Sequence, residues 1–135
     1  MFPPTTKTLI VDDMPTIRDL VKSQLKALGI KNVAEAVDGE AALKLVETAH
    51  TGGTPFDLII SDWNMPNLTG LDFLRKVRAA EHLKETPFVL LTSESERDQV
   101  TEAILAGVSQ YVVKPFTAKS FEEKLTSVWN KINSK

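Results

Sequence analysis

The sequence predicts an α/β protein in which helices cover both faces of a parallel, five-stranded sheet. Strand-like and helix-like patterns alternate five times along the 135 residues, as expected when a crossover helix follows each strand. Three strand segments, LIV, LII and FVLL, are apolar without interruption, which is typical of strands buried on both sides. The length and the 42% hydrophobic content fit one domain, residues 1–135, around a single core.

The first half of the chain contains two strand–helix units. An apolar strand at residues 9–11 is followed by a helical pattern that Gly29 ends. A short strand, NVAEAV, comes next, and Asp38 is placed to cap the second helix. Helical spacing places two sets of residues on one stripe each: Ile17, Leu20, Val21, Gln24, Leu25 and Leu28 in the first helix, and Ala42, Leu45, Val46 and Ala49 in the second.

The second half contains three more units. The strand DLIIS precedes a helix that Thr69 opens, with Asp72 three residues later as in a capping box. The strand PFVLLT precedes a helix that ends at Gly107, and the strand QYVVK precedes the last helix. The apolar face of that helix carries Phe121, Leu125, Val128, Trp129 and Ile132. Residues 1–6 are expected to form a loose tail.

Composition excludes several classes of function. The chain has no cysteine, so disulfides, thiolate metal sites and a thiol nucleophile are excluded. Sixteen basic and eighteen acidic residues leave a net charge of −2, which indicates neither a nucleic-acid nor a membrane partner. No run is long enough to cross a bilayer, and MFPPTTK lacks the apolar core of a signal peptide. A cytoplasmic location is therefore expected.

Polar side chains end four of the predicted strands. Asp12 and Asp13 end the first strand, Asp62 the third, Thr92 the fourth and Lys114 the fifth. The carboxyl ends of parallel strands lie at one edge of a sheet, where ligands collect. Three carboxylates in one place repel each other, so an ammonium or a hard cation is needed to keep all of them ionised. Oxygen-only ligands favour Mg²⁺ or Mn²⁺ over zinc.

An aspartate beside Mg²⁺ can be a metal ligand or a nucleophile toward phosphorus. If Asp62 forms an acyl phosphate, Mg²⁺ and Lys114 would bind phosphoryl oxygens, and Thr92 would offer its hydroxyl. Each residue also has a purely structural explanation. Asp13 could stabilise a helix N-terminus and Asp62 could begin a turn. Lys114 could be a solvated surface residue, and Thr92 is a common residue in strands. Those separate explanations do not account for the clustering on one edge.

Four motifs in this order resemble the receiver domain of two-component response regulators: DD at 12–13, SDWNMPNLTG at 61–70, LLTSES at 90–95 and YVVKPF at 111–116. The resemblance covers about residues 7–133 and is strongest to stand-alone members of the chemotaxis type. It implies a flavodoxin-like fold with strand order 2-1-3-4-5. It also implies that the protein is not an enzyme for other substrates, and that it catalyses only its own phosphorylation and dephosphorylation.

The resemblance implies a role for each residue of the site. Asp62 is the phospho-acceptor. Asp12, Asp13 and Asp62 hold Mg²⁺, with the backbone carbonyl of Asn64 as a further ligand. Lys114 pairs with the acceptor and then with the phosphoryl group.

Further positions match the family's switch and its control. Thr92 and Tyr111 match the switch pair, Asn64 and Glu94 match the positions that set how fast water removes the phosphoryl group, and Pro115 matches a proline after a cis bond. The partner-binding face proposed from this pattern consists of Val100, Ile104, Tyr111, Val113 and Lys124.

The implied partners are a histidine kinase of the chemotaxis type, a flagellar motor switch protein and a phosphatase, and a monomer is expected. The alternative is a stand-alone receiver that relays phosphoryl groups or regulates a non-flagellar target. A haloacid-dehalogenase-like phosphatase would need D-x-D after the first strand, and a flavodoxin would need a phosphate loop rich in Ser, Thr and Gly. The sequence VDDMPT supplies neither.

Three features stay outside this interpretation. Trp63 directly follows the acceptor, where neither core burial nor a turn accounts for so large a ring. His50 and His82 show no ligand pattern and are expected at the surface. The loop at residues 48–56 is longer than the family usually needs, and we assign it no function.

Overall fold

Five parallel strands form the sheet in the structure, a computed structural model that describes residues 1–93 and 100–134. The strands are β1 (Thr8–Val11), β2 (Val33–Ala36), β3 (Leu58–Asp62), β4 (Phe88–Ser93) and β5 (Gln110–Lys114). The helices are α1 (Pro15–Ala27), α2 (Gly39–Thr51), α3 (Gly70–Ala79), α4 (Val100–Leu105) and α5 (Ala118–Asn133). The order β2-β1-β3-β4-β5 confirms the predicted flavodoxin-like topology.

Local signals start and end the helices as the sequence predicted. The Asp38 side chain accepts a hydrogen bond from the Ala41 N–H at 2.8 Å, which caps α2. Thr69 accepts one from the Asp72 N–H at 3.1 Å, which caps α3. Gly29 follows α1 with a φ of 89°, a conformation that glycine adopts at little cost.

The sheet separates two apolar layers. Helices α2, α3 and α4 pack on one face, together with Leu9, Ile59 and Leu90 of the strands. Helices α1 and α5 pack on the other face, together with Ile10, Ile60 and other strand residues. All residues of β1 and β3 are buried, because helices cover the sheet on both sides.

Three residues of the predicted helix stripes are not buried in the core. Leu20, Leu45 and Ile132 are 42%, 37% and 40% exposed. Each lies at the margin of its stripe, and a helix that rests on a sheet contacts it only over an arc of its surface. The buried centres of the stripes are Val21 and Leu25 in α1, Ala42 and Val46 in α2, and Phe121, Leu125 and Val128 in α5.

The predicted loose N-terminal tail is also wrong. Phe2 is only 4% exposed, and its ring centroid lies 5.2 Å from that of Trp129 on α5. The Thr6 hydroxyl donates a hydrogen bond to the Pro3 carbonyl at 2.6 Å, which folds the segment back. Burial of an aromatic ring anchors these residues, a contact with α5 that composition alone does not indicate.

The predicted loop at residues 48–56 is shorter in the structure, because α2 continues to Thr51. The remaining loop is anchored to the core by Phe56, whose side chain is only 7% exposed. Among residues 1–93 and 100–134, we find no helix with the length and apolar character needed to span a bilayer.

Candidate functional site

The carboxyl ends of β1, β3 and β5 bring together the carboxylates and the ammonium predicted from the sequence. One side-chain oxygen from each of Asp12, Asp13 and Asp62 lies within 4.8 Å of the other two. The Nζ of Lys114 lies 2.7 Å from Oδ1 of Asp62 and 3.6 Å from Oδ2 of Asp12. Parallel pairing places the carboxyl ends of these strands at the same edge of the sheet, with β4 between β3 and β5. Residues that are far apart in sequence therefore form one acidic pocket. In the part of the chain that the structure describes, Lys114 is the one lysine that bridges two of its carboxylates.

Asp12 is the most deeply buried acid of this pocket. It is 0% exposed, and its Oδ1 accepts a hydrogen bond from the Met14 N–H at 2.9 Å. Within the described part of the chain, its Oδ2 has no hydrogen-bond partner. Burial raises the pKa of Asp12, and repulsion from Asp62 and Asp13 adds to the rise, although the Met14 N–H and Lys114 act against it. A bound cation would coordinate this oxygen, which has the Lys114 ammonium 3.6 Å away but accepts no hydrogen bond within the described residues, and would relieve the repulsion.

The donor set of this pocket fits Mg²⁺. The three aspartates offer oxygen ligands only, and Asp13 is exposed, so water has access to the site. Magnesium binds through a few carboxylates and keeps several of its waters. Asn64 is exposed in the loop after β3, and the use of its backbone carbonyl as a ligand stays a prediction.

The loop after β3 is packed tightly against the acceptor strand. The Gly70 N–H donates a hydrogen bond to the Trp63 carbonyl at 2.8 Å. A Cβ atom at Gly70 would overlap the backbone oxygen of Asp62, so a larger residue there would displace the end of β3. The amide of Asn67 donates to Oδ2 of Asp38 at 2.8 Å, which ties this loop to the start of α2.

The view that burial does not explain Trp63 is wrong. Its side chain is 4% exposed and belongs to the apolar layer beneath α2 and α3. Side chains alternate along a strand, so Trp63 points to the same face as Ile59 while Asp62 points away from it. The ring is therefore a core residue that directly follows the acceptor.

Thr92 and Tyr111, the predicted switch pair, lie on the neighbouring strands β4 and β5. Thr92 is 1% exposed, and its hydroxyl donates to the Ser93 carbonyl at 3.2 Å. Tyr111 pairs in register with Leu90, packs partly against the α2–α3–α4 layer and has the Lys124 Nζ 5.1 Å from its ring centroid. The two residues share one face of the sheet, and their role as a switch stays a prediction. Glu94 lies outside the described residues.

The predicted partner face has exposed apolar side chains. Ile104 on α4 is 59% exposed and Val113 on β5 is 38% exposed. Val100, Tyr111 and Lys124 are half-buried. The predicted cis bond between Lys114 and Pro115 is present in the structure.

Arg18 was not predicted from the sequence as a residue of this site. Its Nη1 donates to the Asp12 backbone carbonyl at 2.7 Å, and its Nε donates to Glu35 at 3.1 Å. This side chain therefore braces the loop that carries the acidic pair against β2. A positive charge near a helix N-terminus interacts unfavourably with the helix dipole. The position of Arg18 in the first turns of α1 could therefore have indicated that this side chain has a specific partner.

Comparison with known proteins places the chain among receivers. The family model described as "Response regulator receiver domain" matches residues 8–126. The chemotaxis protein CheY of Pseudomonas aeruginosa is 49% identical over 127 residues, which cover 94% of this chain and 98% of the relative. The chemotaxis protein CheY-3 of Vibrio cholerae is 44% identical over 126 residues, which cover 93% of each chain.

Solved structures agree with the sequence matches. The chemotaxis response regulator CheY4 of Vibrio cholerae superimposes with a TM-score of 0.80 at 36% identity, covering 91% of this chain and 98% of that one. The receiver domain of a Pseudomonas aeruginosa sensor histidine kinase has a TM-score of 0.72 at 26% identity, with 87% and 92% coverage. In that structure a magnesium ion is coordinated in the active-site cleft. The chain described here therefore belongs to the response regulator receiver domain family.

Proposed function

We propose that this protein is a chemotaxis-type response regulator that accepts a phosphoryl group on Asp62 from a histidine kinase. The observation that carries the proposal is the position of Asp62, which is 8% exposed at the end of β3, paired with Lys114 and grouped with Asp12 and Asp13. The phosphorylated form then has a changed affinity for a target, for which a flagellar motor switch protein is our candidate.

The chemistry follows from this arrangement. A carboxylate oxygen of Asp62 forms a bond to phosphorus while the P–N bond of a phosphohistidine breaks, and the imidazole leaves with the electron pair. The ammonium of Lys114, already beside Asp62, is placed to neutralise a phosphoryl oxygen. Asp12, Asp13 and Asp62 would hold Mg²⁺, which supplies positive charge for the other phosphoryl oxygens. Catalysis is confined to the protein's own phosphorylation and to the later hydrolysis of the acyl phosphate.

The switch is proposed to run through β4 and β5. The Thr92 hydroxyl would exchange the Ser93 carbonyl for a phosphoryl oxygen. That movement would open space on the face of the sheet that Tyr111 shares, so the half-buried ring could move inward. The exposed side chains of Val113 on β5 and Ile104 on α4 would then form part of a different surface for the target.

The names of the relatives support a chemotaxis pathway. Two curated relatives that cover more than nine-tenths of this chain are chemotaxis proteins, and they do not favour the alternative of a phosphorelay intermediate. The proposal includes a cytoplasmic location, because histidine kinases draw their phosphoryl group from intracellular nucleotide, and a monomer as the oligomeric state. A phosphatase that removes the phosphoryl group is a further proposed partner.

The test of this function is phosphorylation by a small donor. Incubation with acetyl phosphate and Mg²⁺ should give one alkali-labile phosphoryl group, detected by intact-protein mass spectrometry. Asp62→Asn should abolish it, whereas Asp72→Asn, which changes an exposed aspartate on α3, should not. Phosphorylation that persists in Asp62→Asn would refute the assignment of the acceptor.

A further inference from the structure

The opposite edge of the sheet carries a second cluster of potential metal ligands. Glu47 and His50 belong to α2, and His82 lies in the segment between α3 and β4. The Nε2 of His82 donates to the Glu47 carboxylate, with distances of 3.0 and 2.9 Å to its two oxygens. The ring centroids of His50 and His82 are 4.6 Å apart. The two histidines are at the surface as expected, but the fold joins them into one group.

Helix geometry explains how α2 supplies two of these groups. Glu47 and His50 are three positions apart, so their side chains leave the same face of the helix. The helix is continuous through both, because it ends only at Thr51. His82 comes from another segment and completes a set of one carboxylate and two imidazoles.

We propose that Glu47, His50 and His82 form a second metal site, which takes a divalent transition ion such as Zn²⁺ and is separate from the aspartate pocket. Imidazole nitrogen suits zinc, copper and nickel, whereas Mg²⁺ prefers oxygen ligands. Neighbouring ligands of a tetrahedral zinc ion lie about 3.3 Å apart when the metal–ligand bonds are about 2.0 Å long. Glu47 and His82 need to open by only a few tenths of an ångström to reach that spacing.

Binding requires one rearrangement and one proton shift. The three ligand atoms are not yet all within 4.8 Å of one another, so His50 must rotate about its side-chain torsions. His50 is exposed and can change rotamer freely. His82 would carry its ring proton on Nδ1, so the Nε2 lone pair that faces Glu47 would become available to the metal.

The surroundings leave room for a fourth ligand. Both histidines line a cavity of about 620 Å³ at this edge, together with Glu81, Pro55 and Phe56. A water molecule or a small anion in that cavity could fill the remaining coordination position. The bound ion would fasten the end of α2 to the segment before β4, so zinc should raise the thermal stability of the protein.

The composition of the chain makes this site simple to test. The sequence contains two histidines and no cysteine, so every imidazole signal of a bound metal comes from His50 and His82. We would titrate the protein with Zn²⁺ by calorimetry in a large excess of Mg²⁺, which occupies the aspartate pocket. One equivalent of Zn²⁺ should bind, and both imidazole resonances should shift in NMR spectra.

Substitutions then assign the ligands. His50→Ala, His82→Ala and Glu47→Gln should each weaken Zn²⁺ binding at least about tenfold, because the loss of a direct ligand should cost no less than the loss of a residue that only orients a ligand. Asp13→Asn should leave the affinity within about twofold. Melting curves without metal establish that each variant is folded, which is expected because these side chains are at the surface.

Two results would overturn the proposal. One is the absence of Zn²⁺ binding by the wild-type protein up to millimolar concentrations. The other is binding that both histidine variants retain in full or that excess Mg²⁺ abolishes, which would place the ion in the aspartate pocket.

Discussion

The Nζ of Lys114 lies 2.7 Å from Oδ1 of Asp62, although 52 residues separate the two along the chain. The ammonium also lies 3.6 Å from Oδ2 of Asp12, so one cation serves two carboxylates. This contact is largely shielded from water, because the Lys114 and Asp62 side chains are 23% and 11% exposed. Lys114 thus lies beside Asp62 and Asp12, where its charge would repel a bound metal ion and attract a phosphoryl oxygen.

Replacement of Lys114 should separate these two effects. Lys114→Met removes a positive charge from the aspartate pocket, so the affinity for Mg²⁺ should rise at least about threefold. The rate of phosphorylation by acetyl phosphate should fall at least about tenfold, because a charge that stabilises the transition state is lost. Tryptophan fluorescence titration and mass spectrometry measure the two effects. Lys119→Met, at an exposed position of α5, is the control, and a lower Mg²⁺ affinity in Lys114→Met would contradict this prediction.

Asp12 should make the metal-free protein less stable as the pH rises. Burial raises its pKa above the ordinary value of 3.8, so the folded protein holds this proton more tightly than the unfolded chain does. Stability therefore falls as the pH rises from about 3.8 through the pKa of the folded state. Asp12→Asn keeps an oxygen that can accept the hydrogen bond from the Met14 N–H. Its side chain does not ionise, so its stability should not fall with pH in this way. In EDTA at neutral pH it should melt at a higher temperature than the wild type, and the difference should shrink as the pH is lowered.

Two further measurements check this account of Asp12. Asp19→Asn changes an exposed aspartate of α1 and should alter stability by no more than about 0.5 kcal/mol. Saturating Mg²⁺ should raise the melting temperature of the wild type more than that of Asp12→Asn. If Asp12→Asn melts below the wild type in EDTA at neutral pH, the account of the buried charge is wrong.

Trp63 should report the binding of Mg²⁺. It directly follows Asp62 and its ring is buried, so a small movement at the end of β3 should change the surroundings of the ring. Tryptophan fluorescence should therefore change on addition of millimolar Mg²⁺, a range expected for an ion that keeps several waters. The change should persist in Trp129→Phe, which removes the other tryptophan, and should need more Mg²⁺ in Asp13→Asn. An unchanged spectrum at millimolar Mg²⁺ would count against the site.

The partner face should distinguish the phosphorylated state from the unphosphorylated one. A beryllofluoride mimic of the phosphoryl group should strengthen binding of a flagellar switch peptide by roughly 5- to 150-fold, the usual range of coupling between two sites. Thr92→Ala should reduce this ratio, because the hydroxyl that responds to the phosphoryl group is missing. A fluorescence-anisotropy titration of the labelled peptide measures both affinities.

A matched pair of substitutions locates this face. Ile104→Asp should weaken peptide binding while phosphorylation by acetyl phosphate stays normal, because Ile104 is exposed on α4. Leu20→Asp places the same charge at an exposed apolar position of α1 and should have little effect. Equal peptide affinity with and without the mimic would show that this face does not read the phosphoryl group.

Local patterns were sufficient to predict a parallel five-stranded sheet and the acidic pocket, whereas the strand order followed from the resemblance to receiver domains. Unbroken apolar strands indicate burial on both sides, and parallel strands bring their carboxyl ends to one edge whatever the details of packing. Asp12, Asp13, Asp62 and Lys114 were therefore placed together without knowledge of a single distance. The caps at Asp38 and Thr69 were equally predictable, because each bond spans three residues.

Only the tertiary structure decided how far each side chain is covered and which distant groups meet. Periodicity indicates which face of its helix or strand a side chain lies on, but not how far the neighbouring elements cover that face. Leu20 proved exposed and Trp63 buried for this reason. Phe2 against Trp129, Arg18 on the Asp12 carbonyl and His82 on Glu47 are contacts between segments with no common local pattern. The physical reason is that backbone geometry repeats along the chain, whereas such contacts depend on how completed elements pack against each other.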